Sequence, residues 1–273
     1  MAANEDDEDL PESDPAPPEA DTVALRSLAV AALLRRLDLE ERKAPKADFE
    51  ALDGWVEENG LYSSFSEGGF ALFDAEPNTW NAEDKEAVAW GAEELFVLTW
   101  ALGKAEPLGA FTRAERGALL GLVPASGPVE PFSLAASLRP DLQVQEFRAL
   151  YETLANAGRL EAWARGVAAD PTLATDDDEL EVLLQGLEPG QREALTEKHG
   201  APGAAVHLLR TLSQAMVTEL FGEPKSPHAA FKFEPGKLET LDDEALAVFL
   251  ATAQIRAEAA CWLCEGDDWD AGE

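Results

Sequence analysis

The sequence predicts a mainly α protein: an irregular multi-helix globular bundle with at most one short β-hairpin. Apolar residues recur at helical spacing over most of the chain after residue 22. Strand and helix patterns do not alternate, as they would in a Rossmann or barrel core. Hydrophobic residues make up 46% of the 273 positions, which is typical of a folded globular chain.

The first 21 residues differ from the rest, with nine acids and no base. Such a segment cannot bury enough apolar surface to offset the loss of chain entropy, so we expect a disordered acidic tail over residues 1–21. Residues 22–273 are expected to form one helical domain. Its subdomain breaks, if it has any, are predicted near 124–131 or near 224–235, where proline and glycine interrupt the pattern.

Within the helical domain the first predicted helix covers 22–42. Asn81 is a plausible N-cap for a second long helix, whose apolar middle predicts a buried central element ending at Gly103. The segment 141–170 fits one long helix or two, with Gly158 as the weak point. The remaining predicted helices are 47–60, 112–123, 175–187, 190–200, 203–222 and 241–266.

One segment resembles a strand. Phe231 and Phe233 alternate with polar residues before a Pro-Gly pair, within residues 230–240. The pattern indicates a small hairpin or clip.

The net charge is −33, from 54 acids and 21 bases. Such a chain repels nucleic acid and anionic membrane surfaces, so a basic protein partner or plain solubility explains the charge better. No run of 18 apolar residues predicts a membrane span, and the first residues lack a secretory pattern. With only two cysteines, we expect a reducing cytoplasm.

Motifs for metal or cofactor binding are not evident, and we expect neither. Cys261 and Cys264 form a C-x-x-C pair near a helix end beside acids, which favours inert structural thiols over a redox site. The three histidines, His199, His207 and His228, do not stand at ligand spacing. The acid runs 176–179 and 267–270 lack the spacing of a calcium loop, and the first fits a helix start.

Glu93 is the sharpest candidate for a special role. On a helix it shares a stripe with Trp90, Val97 and Trp100, so its carboxylate must be paired or neutralised. Arg256 and Arg26 also lie on apolar helical faces. We predict that Glu93 pairs with one of them, either as a structural ion pair that fixes helix register or as a functional acid in a cleft.

The same residues carry a family resemblance. The segment AWGAEELFVLTWALG (89–103) resembles a block of the bacterial domain of unknown function 4272 family, and RAEAACWL (256–263) with DDWD (267–270) is similar to its closing blocks. Arg26 resembles its opening arginine, and SLRPDLQVQEF (137–147) its Leu-Arg segment. The resemblance implies a helical fold and bacterial origin but no reaction. Matching positions are Arg26, Trp90, Glu93, Trp100, Leu138, Arg139, Arg256, Trp262, Trp269 and Asp270.

The chain departs from that family pattern in two places. The segment 149–158 lacks the Tyr-Arg and His-Trp-Ala residues that the family tends to show, and no Asp-Thr follows residues 267–270. If relatives build a site from those residues, that site is not expected in this chain. The cysteines do not belong to the closing block either. Trp269 is expected to fold the last residues back over the core.

Three functions fit these observations. The leading one is an interaction or scaffold role with a basic protein partner, of which an immunity protein or a DNA mimic is one form. The second is a small-molecule enzyme with Glu93 as acid or base, which requires a pocket reaching Glu93 and Arg256. The third is a structural subunit of a larger assembly, which an exposed apolar patch would favour.

Overall fold

The computed structural model of the chain describes residues 16–165, 167 and 237–266, with five isolated positions at 190, 193, 194, 197 and 211. These residues form nine α-helices, one 3-10 turn and no strand, which confirms the mainly α prediction. The helices are α1 (Ala20–Glu41), α2 (Lys46–Glu58), α3 (Glu67–Asp74), α4 (Ala82–Ala101), α5 (Arg116–Leu120), α6 (Glu130–Leu134), α7 (Asp141–Ala164), α8 (Lys237–Thr240) and α9 (Asp243–Glu265); the 3-10 turn is Leu61–Ser64.

Several predictions fall outside the described residues. They concern the tail up to residue 15, the helices 175–187 and 203–222, and most of the helix 190–200. The acid runs, the possible break at 224–235, the three histidines, Phe231, Phe233, Trp269 and Asp270 also lie outside.

The centre of the described core is α4. It packs against α1 on one side and against α9 on the other, and α9 in turn packs along α7. Residues 95–101 of α4 are all buried, as its apolar middle predicts. Because α4 is surrounded in this way, a polar side chain on it must find its partners within the protein.

Helix α4 begins and ends where Asn81 and Gly103 predict. The Asn81 side chain accepts hydrogen bonds from the backbone N–H groups of Glu83 and Asp84, and the Asp84 carboxylate bonds back to the Asn81 backbone. This capping box satisfies donors that would otherwise be orphaned at a helix start. Gly103 follows the helix with φ +67°, a left-handed conformation that glycine adopts without strain.

Gly158 does not break α7 but lets α9 approach it. A Cβ added at Gly158 would lie 3.2 Å from a ring carbon of Phe249 on α9. Helix α7 is one continuous element from Asp141 to Ala164. The glycine allows α7 and α9 to pack closely, because it has no side chain at their contact.

Three boundaries differ from the predicted ones. Residues 237–240 form α8, so the part of the predicted hairpin or clip that the structure describes is a helical turn just before α9. Helix α5 is shorter than the predicted 112–123, since the Glu115 side chain caps its start by accepting from the Ala118 N–H and Gly121 disfavours its continuation. Helix α1 begins at Ala20, two residues before its predicted start at residue 22.

The segment around residue 127 is tied to α2. The Gly127 carbonyl accepts hydrogen bonds from Trp55 Nε1 at 2.9 Å and Asn59 Nδ2 at 3.3 Å, and the Val129 N–H donates to Asn59 Oδ1 at 2.9 Å. Val129 is buried in the same core as α4. These bonds anchor the segment 124–131, where a subdomain break was one prediction, to the first helices.

By length and composition alone, α9 is apolar enough to cross a membrane, which the sequence analysis did not anticipate. Core helices of soluble proteins satisfy the same criterion. Here α9 packs on α7 and α4 and carries the buried Arg256. A guanidinium at mid-helix that bonds to other helices of the fold is the behaviour of a core element.

Candidate functional site

Glu93 and Arg256 form a buried ion pair between α4 and α9. Arg256 Nε donates to Glu93 Oε2 at 2.8 Å, and Nη2 lies 2.6 Å from the same oxygen. Both side chains are 0% exposed. Of the two arginines considered as partners in the sequence, the structure brings Arg256 to Glu93.

The remaining atoms of the pair bond to the loop after α4 and to α7. Arg256 Nη1 donates to the Tyr151 hydroxyl at 2.8 Å, and Nη2 donates to the Thr112 carbonyl at 2.7 Å. Glu93 Oε1 accepts from the Ala114 backbone N–H at 2.9 Å. The network thus links α4, α7, α9 and residues 112–114, and neither member of the ion pair has a buried polar atom without a partner.

Tyr151 completes the network with an unusual phenol. Burial raises its pKa above the ordinary value, while the nearby Arg256 guanidinium acts in the opposite direction and Glu93 adds to the rise. The phenol is therefore neutral over the physiological range. It accepts a hydrogen bond from Arg256 without adding a second negative charge.

Arg113 covers the Glu93 carboxylate on the solvent side. Its Nε lies 3.8 Å from Glu93 Oε1, and its guanidinium stacks over the Trp90 ring at 4.0 Å from the ring centroid. The Arg113 side chain is 46% exposed, whereas the carboxylate below it is sealed. Trp90 thus contacts the network through Arg113.

A second cluster of family-block residues lies beside the pair. The Trp100 ring stacks on Phe147 at 4.2 Å, and Arg139 Nε donates to the Trp100 carbonyl at 2.7 Å. Leu138 packs against the core next to them. This cluster fixes the chain between α6 and α7 against the end of α4.

The other family-block residues lie elsewhere. Arg26 pairs with Glu94 at 2.9 Å and also contacts the Ser64 carbonyl at 3.4 Å, so the alternative pairing of Arg26 with Glu93 is not formed. Trp262 is half-buried against the core. Trp269 and Asp270 are outside the described residues.

An acid–base role for Glu93 needs access from solvent. Two cavities border this region: one of about 470 Å³ between α1, α4 and residues 113–117, and one of about 390 Å³ beside the start of α9. Arg113 lines both, but Glu93 and Arg256 line neither. With both side chains fully buried, the geometry favours a structural ion pair that fixes the register of α4 and α9.

The surroundings of the two cysteine thiols favour their protonated form. Burial raises the pKa of Cys261 to about 11, and the hydrogen bond between its thiol and the Glu265 carboxylate, at 3.2 Å, acts in the same direction. Burial also raises the pKa of Cys264. Both cysteines are free. A reactive thiolate requires the opposite shift.

A second buried ion pair was missed by the sequence analysis. Arg36 and Glu40, one turn apart on α1, are both buried, with Arg36 Nη2 3.5 Å from Glu40 Oε1. The Arg36 guanidinium lies over the rings of Phe49, Phe73 and Trp80 and also donates to the carbonyls of Phe73 and Ala75. The available signal was the stripe on which Arg36 lies, together with Ala29, Ala32 and Leu39.

Within residues 16–165 and 237–266, no three His, Cys, Asp or Glu side chains stand close enough together to hold an ion.

Comparison with known proteins gives one match. No curated protein and no solved structure matches the chain. The family model described as domain of unknown function DUF4272 matches residues 10–175, which include α1 to α7. The match stops before α9, so the resemblance of the blocks at 256–270 stays a prediction. Since the match covers more than half of the chain, the protein belongs to the DUF4272 family.

Proposed function

We propose that this protein is an interaction protein that binds a basic protein partner through its acidic surface. One observation carries the proposal. In the described part of the chain the basic side chains bond mainly to the protein itself, whereas most of the acids between residues 50 and 86 face solvent. The surplus of negative charge is therefore offered outward.

The arginines illustrate the internal use of positive charge. Each arginine of the described residues contacts a carboxylate, a backbone carbonyl or an amide oxygen of this chain. The residues are Arg26, Arg35, Arg36, Arg42, Arg113, Arg116, Arg139, Arg148, Arg159, Arg165 and Arg256. Few cations are left to neutralise the surface acids.

Negative charge is concentrated around α2, the 3-10 turn and α3. Residues 50–86 hold ten acids and one base. We define the acidic–aromatic face as Asp53, Glu57, Tyr62, Phe70 and Asp74. The Tyr62 hydroxyl donates to Asp53 Oδ1 at 2.5 Å, and the rings of Tyr62 and Phe70 meet edge to face at 5.9 Å.

This face combines charge with an apolar anchor. Burial raises the pKa of Tyr62, and the hydrogen bond to Asp53 and the charges of Asp53, Glu57 and Asp74 raise it further. Phe70 is 42% exposed among them. Lysine and arginine side chains suit such a surface, because carboxylates attract their charge and aromatic faces accept it.

The test is affinity capture of the tagged full chain from an extract of its own cells, followed by charge reversal. A partner that elutes as salt rises is expected, since exposed charge pairs are screened. The double variant Glu57→Lys/Asp74→Lys should lose this partner. Phe70→Ala should weaken capture without changing the salt dependence.

A matched control separates the face from total charge. Glu106→Lys/Glu258→Lys changes the net charge by the same amount at two exposed positions outside the face. It should capture the partner as the unaltered chain does. If both double variants lose the partner equally, the contact is general electrostatic attraction and the acidic–aromatic face has no special part.

The other two functions have less support. Full burial of Glu93 and Arg256 leaves an enzyme without access to its acid. A structural subunit would bury Leu134 and Leu142, the most exposed large apolar side chains among the described residues, at 77% and 66%. The free thiols suit a reducing compartment, and we propose the cytoplasm.

A further inference from the structure

The cavity beside the start of α9, named here the α9 cavity, has the properties of a small-molecule site. Its volume is about 390 Å³, within the range of ligand pockets. Phe111, Val248, Phe249 and Leu241 supply an apolar lining, and Phe111 and Phe249 stack at 4.9 Å. The walls come from the loop after α4, from α8 and from α9, so the site is built by separate elements.

A buried hydroxyl in the lining lacks a partner among the described residues. Thr252 lines the α9 cavity, is 2% exposed, and its Oγ1 makes no hydrogen bond within the part of the chain that the structure describes. A mid-helix threonine ordinarily bonds back to a carbonyl one turn earlier, as Thr99 does to the Leu95 carbonyl at 2.7 Å. A buried polar group without a partner costs free energy, which a ligand with a polar atom at that position would recover.

The lining also contains a cation with no oxygen partner among the described residues. The Lys237 ammonium lies over the Phe111 ring, 4.9 Å from its centroid. The second cation is Arg113, whose guanidinium is shared with Glu93.

Two acids, Asp242 and Glu244, line the cavity as well, but their roles differ. Asp242 caps α9 by accepting from the Ala245 N–H at 2.8 Å, and Glu244 is exposed to solvent. The groups of the lining that lack a hydrogen-bond partner among the described residues are therefore the Lys237 ammonium and the Thr252 hydroxyl.

We propose that the α9 cavity binds a small organic carboxylate with an aromatic or branched apolar body. The carboxylate pairs with Lys237 and Arg113, the body contacts Phe111, Val248 and Phe249, and Thr252 Oγ1 bonds to a polar atom of the ligand. This site is separate from the acidic–aromatic face and does not depend on a protein partner.

The experiment uses the full chain and phenylacetate as probe. 2-Phenylethanol and phenethylamine serve as the neutral and cationic counterparts of similar shape. Binding is followed by saturation-transfer and chemical-shift titration. We expect a dissociation constant of about 1 mM for phenylacetate. The alcohol should bind about tenfold more weakly, since a charge-assisted hydrogen bond is replaced by a neutral one.

Variants locate the site. Lys237→Gln should remove the preference for the carboxylate over the alcohol. Lys104→Gln is the matched control, because Lys104 also lies over an aromatic ring, that of Phe132 at 4.6 Å, but outside the cavity. Thr252→Val should fold normally, since its hydroxyl has no partner to lose, and should weaken phenylacetate binding about two- to fivefold.

Three outcomes overturn the proposal. One is no binding of any probe at about 10 mM, a concentration well above the dissociation constant expected for a cavity of this size. Another is tighter binding of phenethylamine than of phenylacetate, which would assign the site to the acids at its rim. The third is binding that Lys237→Gln and Lys104→Gln change equally, because the probe would then sit outside the α9 cavity.

Discussion

Glu93 and Arg256 are 163 residues apart in sequence, whereas Arg36 and Glu40 lie one turn apart on α1. Both pairs are buried, but their surroundings differ. In the first pair, the polar atoms bond to each other and to three further groups, which are the Tyr151 hydroxyl on α7 and the backbones of Thr112 and Ala114. In the second, Arg36 Nε and Glu40 Oε2 are buried and have no hydrogen-bond partner among the described residues. A long-range pair whose hydrogen-bonding atoms all have partners specifies which helices pack together. A local pair with unbonded polar atoms contributes mainly through the packing of its side chains.

The largest effect is expected from removing Arg256. In Arg256→Met the Glu93 carboxylate stays buried with the Ala114 N–H and the more distant Arg113 as its remaining partners. An unpaired buried charge destabilises by about 3–5 kcal/mol, and urea unfolding measures this loss. Arg159→Met is the control on α7, where the guanidinium bonds only weakly to Asn156 at 3.4 Å. Equal stabilities of the two variants would mean that the buried pair fixes nothing.

Tyr151→Phe tests the third member of the network. The ring keeps its contact with Phe147, 4.6 Å away, but Arg256 Nη1 loses its acceptor. A buried donor left without a partner costs about 1–3 kcal/mol in the free energy of unfolding. The other tyrosine supplies the comparison: Tyr62→Phe removes a hydroxyl that bonds to an exposed carboxylate, and the expected loss is under about 1 kcal/mol. A larger loss at Tyr62 would reverse the assignment of the stabilising phenol.

Sequence patterns predicted one of the two pairs and missed the other for a physical reason. Glu93 and Arg256 stand on apolar stripes of long helices, so each demands a distant partner. Arg36 and Glu40 at i,i+4 look like an exposed pair, which is the commoner use of that spacing. Thr112 and Ala114 contribute backbone groups from a loop, and backbone groups carry no sequence signature. The fold class and the end of α1 followed from periodicity, and the ends of α4 followed from Asn81 and Gly103, whereas of the contacts between helices only the pairing of Glu93 with an arginine was predicted.

Alkaline pH distinguishes the two pairs further, because among the described residues only the Glu93–Arg256 pair bonds to a phenol, that of Tyr151. Burial holds the pKa of Tyr151 above its ordinary value. Above the pKa of the unfolded phenol, the unfolded chain loses this proton while the folded chain keeps it, so stability falls as pH rises, by up to about 1.4 kcal/mol per pH unit. Unfolding of the unaltered chain and of Tyr151→Phe at about pH 9 and about pH 11 measures this. The stability difference between them should shrink toward high pH; a growing difference would mean that Arg256 favours the phenolate.

The smallest effect is expected at Glu40, and it sharpens the comparison most directly because the same change is available at Glu93. Glu40→Gln removes a buried charge whose only contact with Arg36 is 3.5 Å long, and the Asn78 N–H can still donate to the amide oxygen. Arg36 keeps its carbonyl and aromatic contacts, so we expect a loss under about 1 kcal/mol. Glu93→Gln, in contrast, weakens two short contacts from Arg256 to one oxygen and is expected to cost about 2–4 kcal/mol. Urea unfolding of both variants gives the ratio. Equal losses would show that burial alone sets the strength of each pair, and that the extra bonds from Tyr151, Thr112 and Ala114 contribute nothing beyond it.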